Sequence, residues 1–214
     1  MSIPLDSAVL YDAAPVDADD RGERPRLRSE ADDMLVAAAK RGDGRAFEEL
    51  VRRYRNEVYA LAYHLVHDRE DAWDISQEVF IKAHRGLKRF RGDCGFKTWL
   101  LRITSNQCKD FFKRRSLRTV PFDEAIGAEG GEGPGRNPRE ALENRELGEA
   151  ILSALDALPA KHRTAFVLRE FEGLTYDAMA RVMGCRIGTV MSRLHHARRR
   201  LRNALAAMGV GEEN

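Results

Sequence analysis

Apolar residues recur at intervals of three and four through most of the chain, which is the spacing of amphipathic helices. The longest stripe predicts a helix capped by Asp43 and comprises Phe47, Leu50, Val51, Tyr54, Val58, Leu61, Ala62 and Leu65. A shorter stripe precedes it: Met34, Leu35, Ala38 and Ala39. A third helix, capped by Asp68, has as its inner stripe Ala72, Ile75, Val79, Ala83 and Leu87. After a loop, a fourth helix is expected from about Phe96 to Arg115.

The pattern breaks at residues 119–139, where the glycines and prolines are too dense for a regular element. Helical spacing resumes near Glu140, and further helices are predicted over 162–170, 175–182 and 187–207. Strand-like alternation is nowhere convincing. The prediction is an all-α protein with two small helical bundles, 30–118 and 140–208, joined by a flexible linker. Residues 1–29 are expected to form a disordered arm, and 209–214 a tail.

The second bundle contains a helix-turn-helix pattern. Thr175 is a suitable cap for a short helix, Gly184 lies where the chain must turn, and a second helix buries Val190, Leu194 and Leu201. The second helix of this motif enters the major groove of DNA. Its predicted DNA-binding residues are Arg186, Thr189, Ser192, Arg193, His196, Arg199 and Arg200.

Charge is segregated along the chain, although the formal net charge is only +2. From Tyr176 to Arg202 there are seven arginines and one acid, Asp177. This distribution favours a nucleic-acid partner for that segment. Three widely spaced cysteines indicate free thiols in a reducing cytoplasm. No apolar run approaches the ~18 residues of a membrane span, so no membrane insertion is expected.

Two blocks in the first bundle narrow the interpretation. Asp71–Leu87 reads DAWDISQEVFIKAHRGL, and the second block comprises FRGDCGFKTWLLRI from Phe90 and NQCKDFFKRR from Asn106. These strongly resemble region 2 of extracytoplasmic-function (ECF) sigma factors, of the sigma-70 family and RpoE-like. The later segments LPAKHR, EGLTY and GTVMSRLHHARRRL resemble sigma region 4. The resemblance implies a sigma factor that directs RNA polymerase core to promoters and assists melting of the −10 element during transcription initiation, in a stress response.

The resemblance also assigns surfaces. The core-polymerase-binding surface would comprise Asp74, Gln77, Glu78 and Ile81. The −10 DNA-binding residues would be Arg91, Phe96, Lys97, Thr98, Trp99, Arg102, Asn106, Lys109 and Lys113. Aromatic rings interleaved with cations suit single-stranded DNA, because bases stack on the rings and phosphates meet the cations. For Phe96 and Trp99 the alternative is a packing role in the bundle core. Binding of the −35 element is assigned to the helix-turn-helix.

The linker supports two interpretations. The two promoter elements lie about 17 base pairs apart, on the order of 60 Å, and an extended linker reaches that far. The resemblance further implies a path through the RNA exit channel of the polymerase, where Glu129 and Glu132, with Asp123 and Glu124, would mimic RNA. A simple tether explains the same composition.

Enzyme motifs are not found in the sequence, so we expect no catalytic residues and no cofactor. His64 and His67 have helical spacing but no third ligand, so no metal site is predicted. Expected partners are core polymerase, promoter DNA and a cognate anti-sigma factor. A stand-alone helix-turn-helix regulator would explain residues 174–202 but leaves the block at 90–115 unexplained.

Four positions depart from the family pattern. Trp73 stands where a polar residue is usual, and His84 where tryptophan is usual. In the helix-turn-helix, Arg186 replaces a common proline and Met191 a common lysine. We expect the first two to alter packing around the polymerase-binding surface and the last two to alter the preferred −35 sequence.

Overall fold

A computed structural model describes residues 30–118, 148 and 150–208 of the chain. Within these residues the regular elements are all helices. Seven α-helices are labelled in chain order: α1 Glu30–Lys40, α2 Gly44–Val66, α3 Arg69–Gly86, α4 Phe96–Arg118, α5 Ala160–Glu170, α6 Tyr176–Met183 and α7 Ile187–Ala207. A 3-10 turn, Leu87–Arg89, follows α3, and residues 150–156 are also helical.

The N-terminal unit, α1 to α4, forms as its caps and stripes predict. Asp43 accepts hydrogen bonds from the backbone N–H groups of Arg45 and Ala46, and Asp68 accepts one from Asp71. Gly42, at φ 102°, ends the turn after α1 in a conformation that favours glycine. Leu50, Val58, Leu61, Ala62 and Leu65 of α2 are all buried, as are the five predicted inner residues of the third stripe.

One predicted stripe is wrong in detail. Met34 is 75% exposed, whereas Val36 is buried in its place. The orientation of α1 is set by Asp32, which is buried and accepts hydrogen bonds from Arg53 at 3.1 Å and from the Tyr54 hydroxyl. A buried carboxylate must keep its partners. This pairing with α2 therefore turns Val36 toward the core and Met34 toward solvent.

The C-terminal unit consists of residues 150–156 and α5 to α7. The Thr175 hydroxyl accepts a hydrogen bond from Ala178 N at 3.3 Å, and Gly184 ends α6 with φ 62°. The three helices pack on one another. Leu155, Leu194, Ala197 and Leu201 lie in its buried core. The predicted helix-turn-helix is therefore confirmed as α6, the turn at Gly184, and α7.

The two units are packed together. Helix α4 lies against α6, and α2 against α5. Leu61 and Leu101 of the N-terminal unit share one buried cluster with Leu168, Leu174 and Met179 of the C-terminal unit. The chain therefore buries apolar surface between its two bundles as well as inside each. The predicted arm, linker and tail, including Asp123, Glu124, Glu129 and Glu132, lie outside the described residues, and the domain boundaries stay a prediction.

Candidate polymerase and nucleic-acid interfaces

The predicted polymerase-binding residues form one open face on α3. Asp74, Gln77, Glu78 and Ile81 are all exposed, and Ile81 is 44% exposed. Trp73 extends this face and is 60% exposed, beside a shallow surface pocket that it lines with Arg69, Glu70 and Asp74. An exposed indole beside carboxylates suits a protein interface, because tryptophan supplies large contact area while the acids select a basic partner.

The aromatic residues at the start of α4 are part of the core of the N-terminal unit. Phe96 is 2% exposed, and the Trp99 ring lies 4.8 Å from Phe90 and 5.7 Å from Phe96, centroid to centroid. A methyl group on Gly86 would lie 3.4 Å from Trp99 Cζ2, so the end of α3 approaches this ring closely. In this arrangement the rings of Phe96 and Trp99 pack on protein, and their contact with bases stays a prediction.

The polar residues of α4 divide into two sets. Arg102, Asn106, Lys109 and Lys113 are exposed along one face, at intervals of three and four, and Arg91 is exposed in the preceding loop. Thr98 is buried instead, together with Thr104, Ser105 and Gln107. Lys82 of α3 donates a hydrogen bond to Gln107 Oε1. The exposed face alone has the spacing and charge to follow a nucleic-acid backbone.

The predicted −35 residues lie on α7 or, for Arg186, at its N-cap, and they differ in exposure. Arg186, Ser192, Arg199 and Arg200 are exposed, whereas Thr189, Arg193 and His196 are partly buried. Arg199 Nη2 lies 3.3 Å from His196 Nδ1, and Arg193 Nη1 donates to Cys185 Sγ at 3.6 Å. Arginine at the N-terminal half of the second helix is placed to reach a guanine edge, and arginine beyond it to reach phosphates.

One cation of the predicted −10 surface, Lys109, lies close enough to Arg193 of the predicted −35 surface to interact with it electrostatically. Partial desolvation, together with the positive charge of Arg193, lowers the pKa of Lys109. Burial and neighbouring cations that include Lys161 and Arg200 lower the pKa of His162 in the same unit. The repulsion between Lys109 of α4 and Arg193 of α7 is one that a nucleic-acid phosphate would relieve.

The sequence did not predict several polar contacts at the junction between the two units. Lys97, predicted to bind DNA, lies with its Nζ 3.4 Å from Glu172 Oε2. Arg163 Nη1 donates to the Leu65 carbonyl at 3.0 Å, and His67 Nδ1 lies 2.6 Å from Asp156 Oδ1. Partners this far apart in sequence leave no periodic signal. Among the described residues no group of three or more His, Cys, Asp or Glu side chains is arranged to hold a metal ion.

Comparison with known proteins decides the family. The sigma-70 region 2 model matches residues 50–118, and a sigma-70 region 4 model matches 148–201. The RNA polymerase sigma-H factor of Pseudomonas aeruginosa is 42% identical over 185 residues, which cover 84% of this chain and 96% of the relative. The chain belongs to the sigma-70 family of RNA polymerase sigma factors.

Two further similarities place it among the ECF sigma factors. The ECF RNA polymerase sigma-E factor of Escherichia coli K12 is 39% identical over 178 residues, covering 80% of this chain and 93% of that protein. A solved structure of CnrH in complex with the cytosolic domain of CnrY matches with a TM-score of 0.64 at 27% identity, covering 83% of this chain and 99% of CnrH. The predicted family, all-α fold and sigma-factor function are confirmed. In the described part of this sigma factor, no helix combines the length and apolarity needed to cross a membrane.

Proposed function

We propose that this sigma factor divides polymerase binding and promoter recognition among three helices. The α3 face of Trp73, Asp74, Gln77, Glu78 and Ile81 binds core polymerase. The exposed face of α4 binds the −10 element, and α7 reads the −35 element in the major groove. The observation that carries this proposal is the separation of charge: α3 presents Asp74 and Glu78 at its surface, while α4 and α7 each present a row of cations.

Catalysis belongs to the polymerase in this proposal, and the sigma factor acts in the cytoplasm. The CnrH structure holds a sigma factor together with the cytosolic domain of CnrY. By analogy we propose a protein partner that sequesters this chain, as anti-sigma factors do. Such a partner would compete with polymerase or DNA for the faces of α3 and α4, because both contain exposed residues suited to binding.

A promoter-opening assay tests the assignment. Core polymerase and this chain select promoters from a library in vitro, and permanganate then maps unpaired thymines at the −10 element. Replacing Arg102 and Lys109 together by alanine should reduce opening about tenfold or more, because two phosphate contacts are lost. Arg55→Ala, which removes an exposed cation of α2 outside the three faces, is the control and should leave opening unchanged.

Two results would contradict the proposal. Equal loss of opening in the control and the double variant would show that general charge, and not the α4 face, drives binding. Tight, sequence-specific binding of duplex DNA by the free chain, with no strand opening when core polymerase is supplied, would favour a stand-alone regulator. The double variant should also keep its affinity for core polymerase, since both residues lie away from the α3 face.

A further inference from the structure

Two exposed apolar side chains lie at the start of α7, the helix proposed to read DNA. Ile187, the first residue of the helix, is 44% exposed, and Met191, about one turn later, is 37% exposed. Residues four positions apart on a helix are neighbours on its surface, so the two side chains form one patch, which we name the apolar patch. It lies in the part of a helix-turn-helix that contacts base edges, the first turns of the second helix.

Packing inside the C-terminal unit does not account for the apolar patch. Helix α7 packs on its own unit through a separate stripe of four residues, each at most 2% exposed: Val190, Leu194, Ala197 and Leu201. Apolar area that stays in water adds no hydrophobic stabilisation to the unit. Neighbouring apolar side chains within a polar surface are typical of a binding site.

The charge around the apolar patch indicates what it binds. Arg186 directly precedes the patch and is exposed, and Arg199 and Arg200 are exposed further along α7. From Gly184 to Arg202 the chain contains no aspartate or glutamate. An apolar patch within a cationic surface complements the major groove of DNA, because phosphates line the rims of the groove and the 5-methyl groups of thymine are exposed on its floor.

The spacing of the apolar patch matches that of stacked bases. Ile187 and Met191 are about 6 Å apart along the helix axis, and successive bases of one strand are about 3.4 Å apart. The two side chains can therefore reach methyl groups one or two base steps apart. Between them, a Cβ added to Gly188 would meet nothing within 4 Å, so no neighbour in the protein requires glycine there. Its missing side chain lets the backbone of α7 approach the groove closely.

We propose that Ile187 and Met191 bind the 5-methyl groups of thymines in the −35 element, and that this contact makes the sigma factor prefer thymine at one or two positions. The inference rests on the proposed function of α7 as the helix that reads the −35 element. Isoleucine and methionine side chains have no donor for the acceptors of guanine. They distinguish bases by the methyl group, whereas the neighbouring arginines recognise acceptors and phosphates.

Replacement of thymine by deoxyuridine isolates the methyl group. Deoxyuridine keeps the hydrogen-bonding groups of thymine and lacks only the 5-methyl. Core polymerase with the full-length chain first selects a −35 element from a randomised library. Each thymine on either strand of that element is then replaced singly, and competition with the unmodified promoter measures relative affinity. We expect a loss of about 3- to 5-fold at one or two positions, the factor that corresponds to burying one methyl-sized group.

Alanine variants assign the methyl contact to its residues. Met191→Ala and Ile187→Ala should each bind the unmodified promoter about 3- to 5-fold more weakly. Each should also lose the deoxyuridine penalty at one position, because a side chain and the methyl group that it contacts are coupled in a double-mutant cycle. The control is Met208→Ala, the same change at a 47% exposed methionine just beyond α7, about 25 Å from Met191. It should keep both the affinity and the penalty.

The response of the unsubstituted chain to deoxyuridine does not depend on the folding of any variant. A selected −35 element without thymine, or one in which no deoxyuridine lowers the affinity, would overturn the proposal. Penalties that persist in both alanine variants would overturn it as well, because other residues would then contact the methyl groups. Weaker binding of these variants to core polymerase without DNA would identify the apolar patch as a protein-binding surface and overturn its role in reading bases.

A scrambled −35 element separates this inference from the proposed function of α7. If polymerase with this chain binds the scrambled and the selected elements equally well, α7 does not read the −35 element, and the proposed function of the helix fails together with the methyl contact. If scrambling weakens binding but deoxyuridine does not, the helix keeps its proposed function and the methyl contact alone is overturned.

Discussion

Helices α3 and α4 belong to the same bundle but present their functional residues differently. The four predicted polymerase contacts of α3 are exposed, and its inner stripe is buried, so one face serves the fold and the other is free. Helix α4 instead uses predicted functional residues for packing: Phe96, Thr98 and Trp99 are enclosed or packed on neighbours. A helix with a single buried stripe can use one face for packing and the other for binding. A helix with packing partners on several sides has fewer residues that serve binding alone.

Substitutions at the start of α4 should give the largest effects on stability. Trp99→Ala is expected to lower the free energy of unfolding by about 3 kcal/mol, since its ring packs on Phe90 and Phe96. Arg102→Ala, on the exposed face of the same helix, should change it by less than ~0.5 kcal/mol. Urea denaturation measures both. Similar values for the two variants would remove the distinction between packing and binding residues on α4.

The α3 face should respond through binding and not through stability. Glu78→Lys is expected to weaken association with core polymerase by about 2 kcal/mol, roughly 30-fold, because it reverses a charge at the proposed interface. Trp73→Ala should also weaken association, through loss of an exposed apolar anchor. Fluorescence titration with core polymerase measures the affinity. Either variant binding as tightly as the parent would exclude its side chain from the interface.

Helix α7 also contains residues that differ in exposure. Arg193 is partly covered, whereas Arg199 is exposed. Arg193→Ala should cost about 1–2 kcal/mol on the best promoter, mostly as lost discrimination at one base pair. Arg199→Ala should weaken all sequences evenly and flatten the dependence of binding on salt. Promoter-selection profiles of polymerase with each variant measure this difference. Indistinguishable profiles would reject the division between base and phosphate contacts.

Acidification should destabilise the junction between the two units. Burial, together with the charge of His67, lowers the pKa of His64 from 6.5 to about 4, and its ring lies 4.3 Å from that of Phe171. Its contribution to stability is complete above pH 6.5 and is lost as the pH falls toward 4, because the unfolded chain takes up the proton first. We expect a loss of about 2 kcal/mol between pH 7 and pH 5.

His64→Asn isolates this contribution. The variant should lose less unfolding free energy than the parent between the two pH values, although Glu172 and Asp156 titrate at the same junction in both proteins. Urea denaturation at each pH supplies the four values needed. Parallel losses in parent and variant would assign the pH dependence to groups other than His64.

Sequence alone determined the helices, their caps and the family. The stripes of α2 and α3 and the caps Asp43, Asp68 and Thr175 are local features, since helical spacing and capping depend on residues within a few positions of one another. The same locality made the exposed face of α3 predictable. Among the predicted inner residues of the first three helices, Met34 of α1 was misplaced, because the orientation of α1 depends on the distant pairing of Asp32 with Arg53 and Tyr54.

Only the tertiary structure decided which polar residues are covered. Lys97 and Glu172 are 75 positions apart and meet at 3.4 Å, and neither residue differs in its local pattern from an exposed one. Apolar spacing shows that a face is buried but not which neighbour covers it. The contact of α4 with α6 depends on long-range packing between the two bundles. The sequence of each bundle predicts its own helices but not which helix of the other bundle it contacts.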